Sequence, residues 1–278
     1  MSSDKALRKI FKNIKPVIGM VHLRPLPGSP LYDPIKMDMN KITKIAVDEA
    51  KKLQSGGVDG LQVENIWDYP YLKGSEIGHE TTTAMTAIVL KVKEATVIPV
   101  GINCHLNGGM KAIAIANAVD AKWIRVFEWV NAYISHAGFL EGIGGKLSRY
   151  RNFLHAKDIK FFCDVNVKHG SHFIISDRSI AEQAKDAESE GAEALIVTGF
   201  ETGIAPTPEK VAEFVKNANI PVLIGSGTTK ENVADLMKFA DGAIVGSYFK
   251  EDNDWKRRVD EKRVKEFMNV VERLRKKL

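Results

Sequence analysis

Eight short apolar segments recur along the chain, and a helical pattern follows each of them. The segments are Pro16 to Leu23, Asp59 to Asn65, Ile98 to His105, Lys122 to Trp129, Lys160 to His169, Ala194 to Gly199, Pro221 to Gly227 and Gly242 to Ser247. Nearly continuous apolar runs are typical of parallel strands that helices cover. Eight strand-helix units without a hairpin signal predict a single (β/α)8 TIM barrel over residues 1–278.

An open doubly wound sheet is the alternative arrangement of such units. That fold carries a glycine-rich turn after its first strand, which binds a dinucleotide. Here the first segment is followed by His22, Arg24 and several prolines instead. The sequence therefore favours the closed barrel.

Two terminal segments lie outside the repeat. Residues 1–15 are charged, lack the apolar stretch of a secretion signal and are interpreted as an N-terminal extension. Residues 256–278 are basic and are predicted to form a C-terminal helix that docks its apolar side on the barrel, with peripheral contact to an anionic membrane as the alternative. Its apolar residues at helical spacing are Val264, Phe267, Met268, Val271 and Leu274.

Composition limits the partners without selecting one. The net charge of +5 and the pI near 9.0 allow binding to anionic substrates, nucleic acid or membranes. No motif of a nucleic-acid reader is present, so nucleic acid is not an expected partner. No run reaches the roughly 18 apolar residues of a membrane span. The two cysteines, Cys104 and Cys163, fall in strand segments and are interpreted as reduced core thiols, so we expect a cytoplasmic protein.

Polar residues interrupt the apolar segments near their C-terminal ends. Because side chains alternate along a strand, polar residues two positions apart share one face. Residues that follow this rule are Met20 with His22, Gln62 with Glu64, Asn103 with His105, and Asp164 with Asn166 and Lys168, while Arg125 interrupts the fourth segment. They are predicted to converge on the mouth of the barrel, where enzymes of this fold carry their chemistry. The alternative is that they satisfy one another inside the barrel.

Small residues end the last strands, where barrels commonly bind phosphate. Thr228 is predicted to begin a helix whose free amides favour an anion. The predicted phosphate-binding residues are Gly199, Gly225, Ser226, Gly227, Thr228, Gly246 and Ser247. Tight glycine turns also serve purely as connections, which is the alternative for each loop alone.

Several reactive groups are expected opposite the phosphate. Glu64 and Asp164 are candidate general acids or bases, and His22 and His105 are candidate proton shuttles. Lys168 is interpreted first as an electrostatic partner, with a Schiff base as the alternative. No cofactor is assigned; a divalent metal on His22, His105, His169 and Asp164 is an open alternative, although no compact ligand spacing such as HExxH occurs.

Three connections are longer than usual and leave the strands on the predicted site side. They are Arg24 to Met37, Ile66 to Glu76 and Val130 to Glu141. Apolar residues in the second of them are predicted to form either a lid over the mouth or a contact in a homo-oligomer. These residues are Ile66, Trp67, Tyr69 and Tyr71.

Five stretches resemble the BtpA family. The run KPVIGMVHLRPLPGSPLYD, residues 15–33, is similar to the opening of that family, and GVDGLQVENIWDYPY, GINCHLNGG, FFCDVNVKHG and VTGFETG resemble its later strands. The resemblance implies a phosphate-binding type of barrel. The site positions that it implies are His22, Arg24, Glu64, Asn65, Asn103, His105, Asp164, Asn166, Lys168 and His169. Of these, Arg24, Asn65, Asn103, Asn166 and His169, together with Arg125, are assigned to substrate binding.

Two functions follow from these patterns. The first is an enzyme that acts on a small phosphorylated metabolite, either a sugar phosphate or a nucleotide-derived compound, by isomerase or lyase chemistry. The second is a non-catalytic factor for assembly of membrane complexes, because the namesake of the resembled family is associated with accumulation of photosystem I. No residue of this chain encodes a chlorophyll or thylakoid contact, so the residues themselves favour the first function.

Overall fold

The chain forms a closed barrel of eight parallel strands in a computed structural model, which describes residues 5–199 and 201–278. The barrel strands are β1 (Val17–His22), β2 (Gly60–Glu64), β3 (Val100–Asn103), β4 (Trp123–Val126), β7 (Lys160–Asp164), β8 (Ala194–Val197), β9 (Val222–Ile224) and β10 (Gly242–Val245). Their order around the barrel is β1-β10-β9-β8-β7-β4-β3-β2. The first and last strands pair in parallel, with Ile18 opposite Ile244, which confirms the predicted ring closure.

Helices surround the barrel. They are α1 (Lys5–Arg8), α2 (Met39–Ser55), α3 (His79–Ala95), α4 (Gly109–Ala118), α5 (Gly144–Phe153), α6 (Ile180–Ser189), α7 (Pro208–Asn217), α8 (Val233–Leu236) and α9 (Glu261–Arg275). Several begin at a side-chain cap that accepts an otherwise unbonded amide, as Ser179 does in a capping box with Glu182. No helix among residues 5–199 and 201–278 is long and apolar enough to cross a membrane.

The C-terminal helix α9 packs its apolar stripe against the barrel, as the spacing predicts. Asp260 caps its first turn, and Val264, Phe267 and Val271 are fully buried. The segment before α9 is anchored by Lys250, whose Nζ lies 2.5 Å from Oε2 of Glu49 in α2. Both side chains of this pair are buried, and Nε of Arg258 lies 3.2 Å from the other carboxylate oxygen of Glu49. Loss of Glu49 therefore leaves the charge of Lys250 uncompensated and costs about 3–5 kcal/mol.

Alternation along the strands separates two apolar layers. Val17, Val21 and the equivalent residues of other strands face the helices, whereas Ile18, Met20 and their equivalents fill the barrel interior. Trp123, the first residue of β4, fills the interior at the N-terminal end of the strands and packs on Phe162, with ring centroids 5.6 Å apart. Truncation of such a buried aromatic residue to alanine costs about 3–5 kcal/mol.

Two sequence expectations are wrong. The connection after β4 contains a hairpin, β5 (Ala132–Ser135) and β6 (Gly138–Glu141), although the sequence lacks the usual Asn-Gly turn. The hairpin forms because Tyr133 and Leu140 bury their side chains inward while Gly138 adopts a positive φ of 85°. The helix predicted to begin at Thr228 is also absent there; α8 begins at Val233 and has only 4 residues.

Candidate active site

Two adjoining cavities lie at the C-terminal ends of the barrel strands. The larger has a volume of about 490 Å³ and the smaller about 50 Å³. Five residues line both cavities, namely Glu64, Ile66, Arg125, Lys168 and Thr202. The two cavities therefore form one continuous candidate site.

Glu64 and His105 meet at the junction of these cavities. Glu64 ends β2 with its side chain inside the barrel, and Nε2 of His105 lies 3.1 Å from Oε1 of Glu64. The other carboxylate oxygen accepts a 2.6 Å hydrogen bond from Nδ2 of Asn103. His105 is held in turn by its backbone N–H, which donates to Oδ1 of Asn65 over 2.8 Å. Asn65 and Asn103 line neither cavity and position the pair from behind.

The charges around Glu64 keep it ionised. Burial alone raises the pKa of a carboxyl, but the neighbouring His105 and the charge on Arg125 lower the pKa of Glu64 well below its usual range. His22 behaves in the opposite way: burial, followed by the charge on Lys250, lowers the pKa of His22 to about 3. At neutral pH, His22 is therefore an uncharged group that lines the small cavity.

The ring nitrogens of His105 are buried and lack hydrogen-bond partners among residues 5–199 and 201–278. Nε2 lies at ion-pair distance from Glu64, whereas Nδ1 has no such neighbour within that part of the chain. Its ring stacks on Tyr71 with centroids 4.7 Å apart and meets the edge of Phe127 at 4.8 Å, so its plane is fixed. A buried polar atom without a partner is costly, and a ligand in the larger cavity can supply the missing bond.

Arg125 and Lys168 bring positive charge to both cavities. Arg125 donates two hydrogen bonds to Asp164, at 2.7 and 2.8 Å, in a bidentate pair inside the barrel. Burial by itself lowers the pKa of Arg125, but the attraction of Asp164 outweighs it and the pKa is raised. Asp164 lines neither cavity, so the structure places this predicted catalytic residue behind Arg125.

Lys168 lines both cavities and has no ion-pair partner among the described residues. No carboxylate among the described residues lies within 4.0 Å of its ammonium group, in contrast to Arg125. Burial, followed by repulsion from Arg125, lowers the pKa of Lys168 to about 8. A half-buried lysine with such a pKa is still mostly charged at pH 7 and attracts an anion.

Residues of the last two loops line the small cavity. Within the part of the chain that the structure describes, the backbone N–H groups of Ser226, Gly227, Gly246 and Ser247 form no hydrogen bond and are free to donate to a ligand. Gly227 has a φ of +69°, and a Cβ there would lie 2.0 Å from the amide nitrogen of Ala205. Glycine is required at this position because no side chain fits.

Other predicted phosphate-binding residues lie next to this cavity but do not line it. The N–H of Gly199 is already used, because it donates to Oγ of Ser226 over 3.2 Å. The hydroxyl of Thr228 is buried without a partner among the described residues. The N–H of Thr229 donates to Asn232 over 2.8 Å, so the amides expected at a helix start here are partly used. The helix-dipole contribution predicted for this loop is therefore absent, since α8 is short and begins later.

The remaining predicted residues divide between the site and its surroundings. His169 lines the larger cavity and its Nε2 accepts from the N–H of Thr202 over 3.1 Å. Arg24 lines neither cavity; it donates to the carbonyl of Lys256 over 2.8 Å and stacks on Trp67. Asn166 also lines neither, because β7 ends at Asp164 and a φ of +54° at Asn166 breaks the alternation on which its placement was predicted.

Five aromatic residues line the larger cavity, and three of them, Phe127, Tyr133 and Trp255, are not among the predicted site or lid residues. Tyr69 and Tyr71 come from the long loop after β2, which favours the lid interpretation of that loop, and Phe127, Tyr133 and Trp255 come from other segments. The alternation of Tyr133 and Leu140 around a short turn was the signal that could have revealed the hairpin and its wall. Trp255 follows the last strand in an irregular segment, for which the sequence offers no comparable signal.

No group of three or more His, Cys, Asp and Glu side chains that could hold a metal ion occurs among the described residues. Each of the four residues considered for a metal site contacts a different group. His105 faces Glu64, His169 contacts Thr202, His22 contacts the carbonyl of Trp255 at 3.4 Å, and Asp164 pairs with Arg125.

The fold and site define a (β/α)8 barrel with a polar, partly cationic mouth. Solved structures with this fold include (S)-3-O-geranylgeranylglyceryl phosphate synthase from Thermoplasma acidophilum, in complex with its substrate sn-glycerol-1-phosphate, at 16% identity and a TM-score of 0.59, covering 98% of this chain and 99% of that one. Phosphoribosyl anthranilate isomerase from Thermus thermophilus has a TM-score of 0.56 at 10% identity, covering 93% of this chain and 99% of that one. At these identities the likeness establishes the fold alone.

Sequence relatives establish the family. A sequence model of the BtpA family matches residues 13–273, and the chain belongs to this family. The photosystem I biogenesis protein BtpA of Synechocystis is 35% identical over 95% of this chain and 91% of its own length. An uncharacterized protein of Archaeoglobus fulgidus is 40% identical over 85% of this chain and 92% of its own length.

Proposed function

We propose that the barrel binds a small phosphorylated metabolite at its C-terminal mouth and acts on it by acid/base chemistry of the isomerase or lyase type. The observation that carries this proposal is the small cavity, where unbonded amides of the last two loops face the same space as Lys168 and Glu64. Unbonded amides and a cation are the groups that bind phosphate. Two proteins of similar fold bear names that specify phosphorylated compounds, which supports the same ligand class.

The residues at the junction divide the work between them. His105 takes the proton from the substrate, and the ionised Glu64, 3.1 Å away, stabilises the imidazolium that results. Whereas His105 takes up a proton, Lys168 stabilises the oxyanion that develops on the substrate. With a pKa of about 8, Lys168 can also donate its proton to that oxyanion near neutral pH. Arg125 keeps its charge throughout because Asp164 is paired with it.

Proton exchange tests the chemistry before the substrate is identified. The protein is incubated in D2O with a panel of sugar phosphates and phosphorylated keto acids, and loss of carbon-bound hydrogen is followed by proton NMR. We expect exchange with at least one compound, and a decrease of about 10²- to 10⁴-fold for His105→Asn and Glu64→Gln. His79→Asn, at an exposed position on α3, is the matched control and should exchange at the wild-type rate.

Binding is measured separately by the shift in melting temperature with each phosphorylated compound. Absence of any shift with inorganic phosphate and with every compound of the panel would contradict the proposal. Binding without exchange would leave a phosphate-binding barrel and remove the acid/base chemistry.

A second candidate is a non-catalytic factor for membrane-complex biogenesis. It is favoured by the name of the Synechocystis relative and by exposed basic residues in and directly after α9. These residues are Lys262, Arg273 and Lys277. Flotation with anionic liposomes tests the membrane contact, with Lys262→Glu/Arg273→Glu as the matched variant. Binding that this variant abolishes supports the candidate, and absence of binding by the wild type removes it. Homo-oligomerisation stays a prediction, which light scattering after size-exclusion chromatography measures.

A further inference from the structure

The larger cavity has more room than a simple sugar phosphate would fill. Its volume of about 490 Å³ falls within the roughly 300–1,000 Å³ of pockets that hold drug-sized ligands. The adjoining small cavity, of about 50 Å³, already contains the amides and the cation that would bind a phosphate. A ligand that occupies both therefore extends well beyond its phosphate group.

Aromatic rings from separate segments line this larger cavity. The long loop after β2 supplies Tyr69 and Tyr71, and Phe127 directly follows β4. The hairpin supplies Tyr133, and the segment before α9 supplies Trp255. Such rings provide flat apolar surfaces on which a planar ring stacks, and their quadrupoles favour offset or edge contacts with it.

The rings are held in place by one another. Tyr69 and Trp255 meet edge to face at 6.3 Å, and Tyr133 stacks on His172 at 5.0 Å. The hydroxyl of Tyr71 donates to the carbonyl of Ile66 over 2.7 Å, which fixes that ring beside His105. A preorganised aromatic wall loses little conformational freedom when a ligand binds.

Polar groups occur around this wall in a small number. Ser135, His136 and Lys256 line the cavity together with the rings. Oγ of Ser135 already donates to the carbonyl of Gly138, whereas the exposed side chains of His136 and Lys256 are suited to hydrogen bonds with the edge of a heteroaromatic ring.

We propose that the ligand is a phosphate monoester that carries a planar heteroaromatic ring, of the size of a nucleoside monophosphate. Its phosphate occupies the small cavity, its ring lies among Tyr69, Phe127 and Trp255, and the atoms between them pass beside Glu64 and Lys168. The assignment rests on the proposed function for the phosphate half and on the aromatic cavity for the ring half.

Isothermal titration calorimetry tests the phosphate half and the ring half of the ligand separately, with compounds that contain only one of them. The ring-bearing probes are AMP, UMP and pyridoxine 5′-phosphate; ribose 5-phosphate lacks the ring, and adenosine lacks the phosphate. Stacking of a base on an aromatic side chain contributes enough to strengthen binding by roughly 5- to 150-fold. We expect at least one ring-bearing phosphate to bind tighter than ribose 5-phosphate by such a factor.

Substitutions in the wall then locate the ring. Tyr69→Leu and Trp255→Leu keep an apolar side chain but remove the flat surface. They should lower the affinity for the ring-bearing phosphate to about that for ribose 5-phosphate, and the affinity for ribose 5-phosphate itself should not change. Phe173→Leu, at an exposed ring that lines neither cavity, is the matched control and should change neither affinity.

The outcomes distinguish the two proposals. Equal affinity of all three ring-bearing probes and ribose 5-phosphate overturns the ring assignment and leaves the phosphate site intact. Absence of binding by every phosphate ester overturns the proposed function itself. Equal affinity of adenosine and AMP would place the ligand in the aromatic cavity alone and would also contradict the phosphate half.

Discussion

The guanidinium of Arg125 and the carboxylate of Asp164 form a bidentate ion pair inside the barrel, with Nε to Oδ2 at 2.7 Å and Nη2 to Oδ1 at 2.8 Å. Both side chains are buried, and only Arg125 reaches the cavities. The pair presents a fixed positive charge to the ligand site while the opposing charge stays behind it. Asp164 thus contacts the site through Arg125, and the general acid or base role that the sequence predicts for it stays a prediction.

Replacement of Asp164 by asparagine should therefore reduce stability. It leaves the charge of Arg125 buried without compensation, which costs about 3–5 kcal/mol in free energy of unfolding. Urea denaturation measures the loss. The double variant Arg125→Met/Asp164→Leu removes both charges and should recover most of this stability. It should bind phosphate more weakly than the wild type, because the charge of Arg125 is lost. Unchanged stability of Asp164→Asn would contradict the role of the pair.

Phosphate binding should weaken as the pH rises through about 8. The folded pKa of Lys168 is lowered from 10.5 to about 8, so its ammonium is present below that pH and is lost above it. Loss of one charge-assisted contact lowers affinity by about tenfold. Calorimetric titration with inorganic phosphate from pH 7 to 9.5 measures the change. Lys168→Arg keeps its charge over this range and should bind with nearly constant affinity; an equal decline in this variant would contradict the assignment.

Glu128 should make the protein less stable as the pH rises from about 5 to 9. Burial, followed by repulsion from Asp164, raises the pKa of Glu128 from 4.5 to about 9. The folded state therefore keeps a proton that the unfolded state releases above pH 4.5, and stability falls by roughly 1.4 kcal/mol per pH unit in that window. Glu128→Gln cannot titrate and should show a flatter dependence of melting temperature on pH. Parallel curves for the two proteins would disprove the shift.

A methyl group at Gly227 should disrupt the small cavity. An added Cβ would lie 2.0 Å from the amide nitrogen of Ala205, and the φ of +69° adds a cost of about 1–2 kcal/mol for any other residue. Gly227→Ala should lose both stability and the phosphate-dependent shift in melting temperature. Gly191→Ala is the matched control, because Gly191 also has a positive φ but no atom within 4 Å of the added Cβ. It should lose some stability and keep the phosphate response.

The barrel and the inner polar residues could be predicted because both follow from strand periodicity. Alternation places Glu64, Asn103 and Arg125 inside, and the structure confirms this for all three. The rule fails past the strand ends, where Asn166 takes a left-handed conformation. The sequence predicts Tyr69 and Tyr71 as part of a lid or an oligomer contact, but it does not predict that Tyr69 lies beside Trp255. Irregular segments bring these two rings together, and the path of such segments depends on long-range packing. The start of α8 was also missed, since Asn232 rather than Thr228 organises that loop.

Trp255 follows the closing strand β10 in the chain, yet it contacts His22 at the end of the first barrel strand, with ring centroids 6.3 Å apart. This contact therefore crosses the seam at which β1 and β10 pair. Opening of the barrel at that seam would separate the two rings and dismantle this part of the cavity wall.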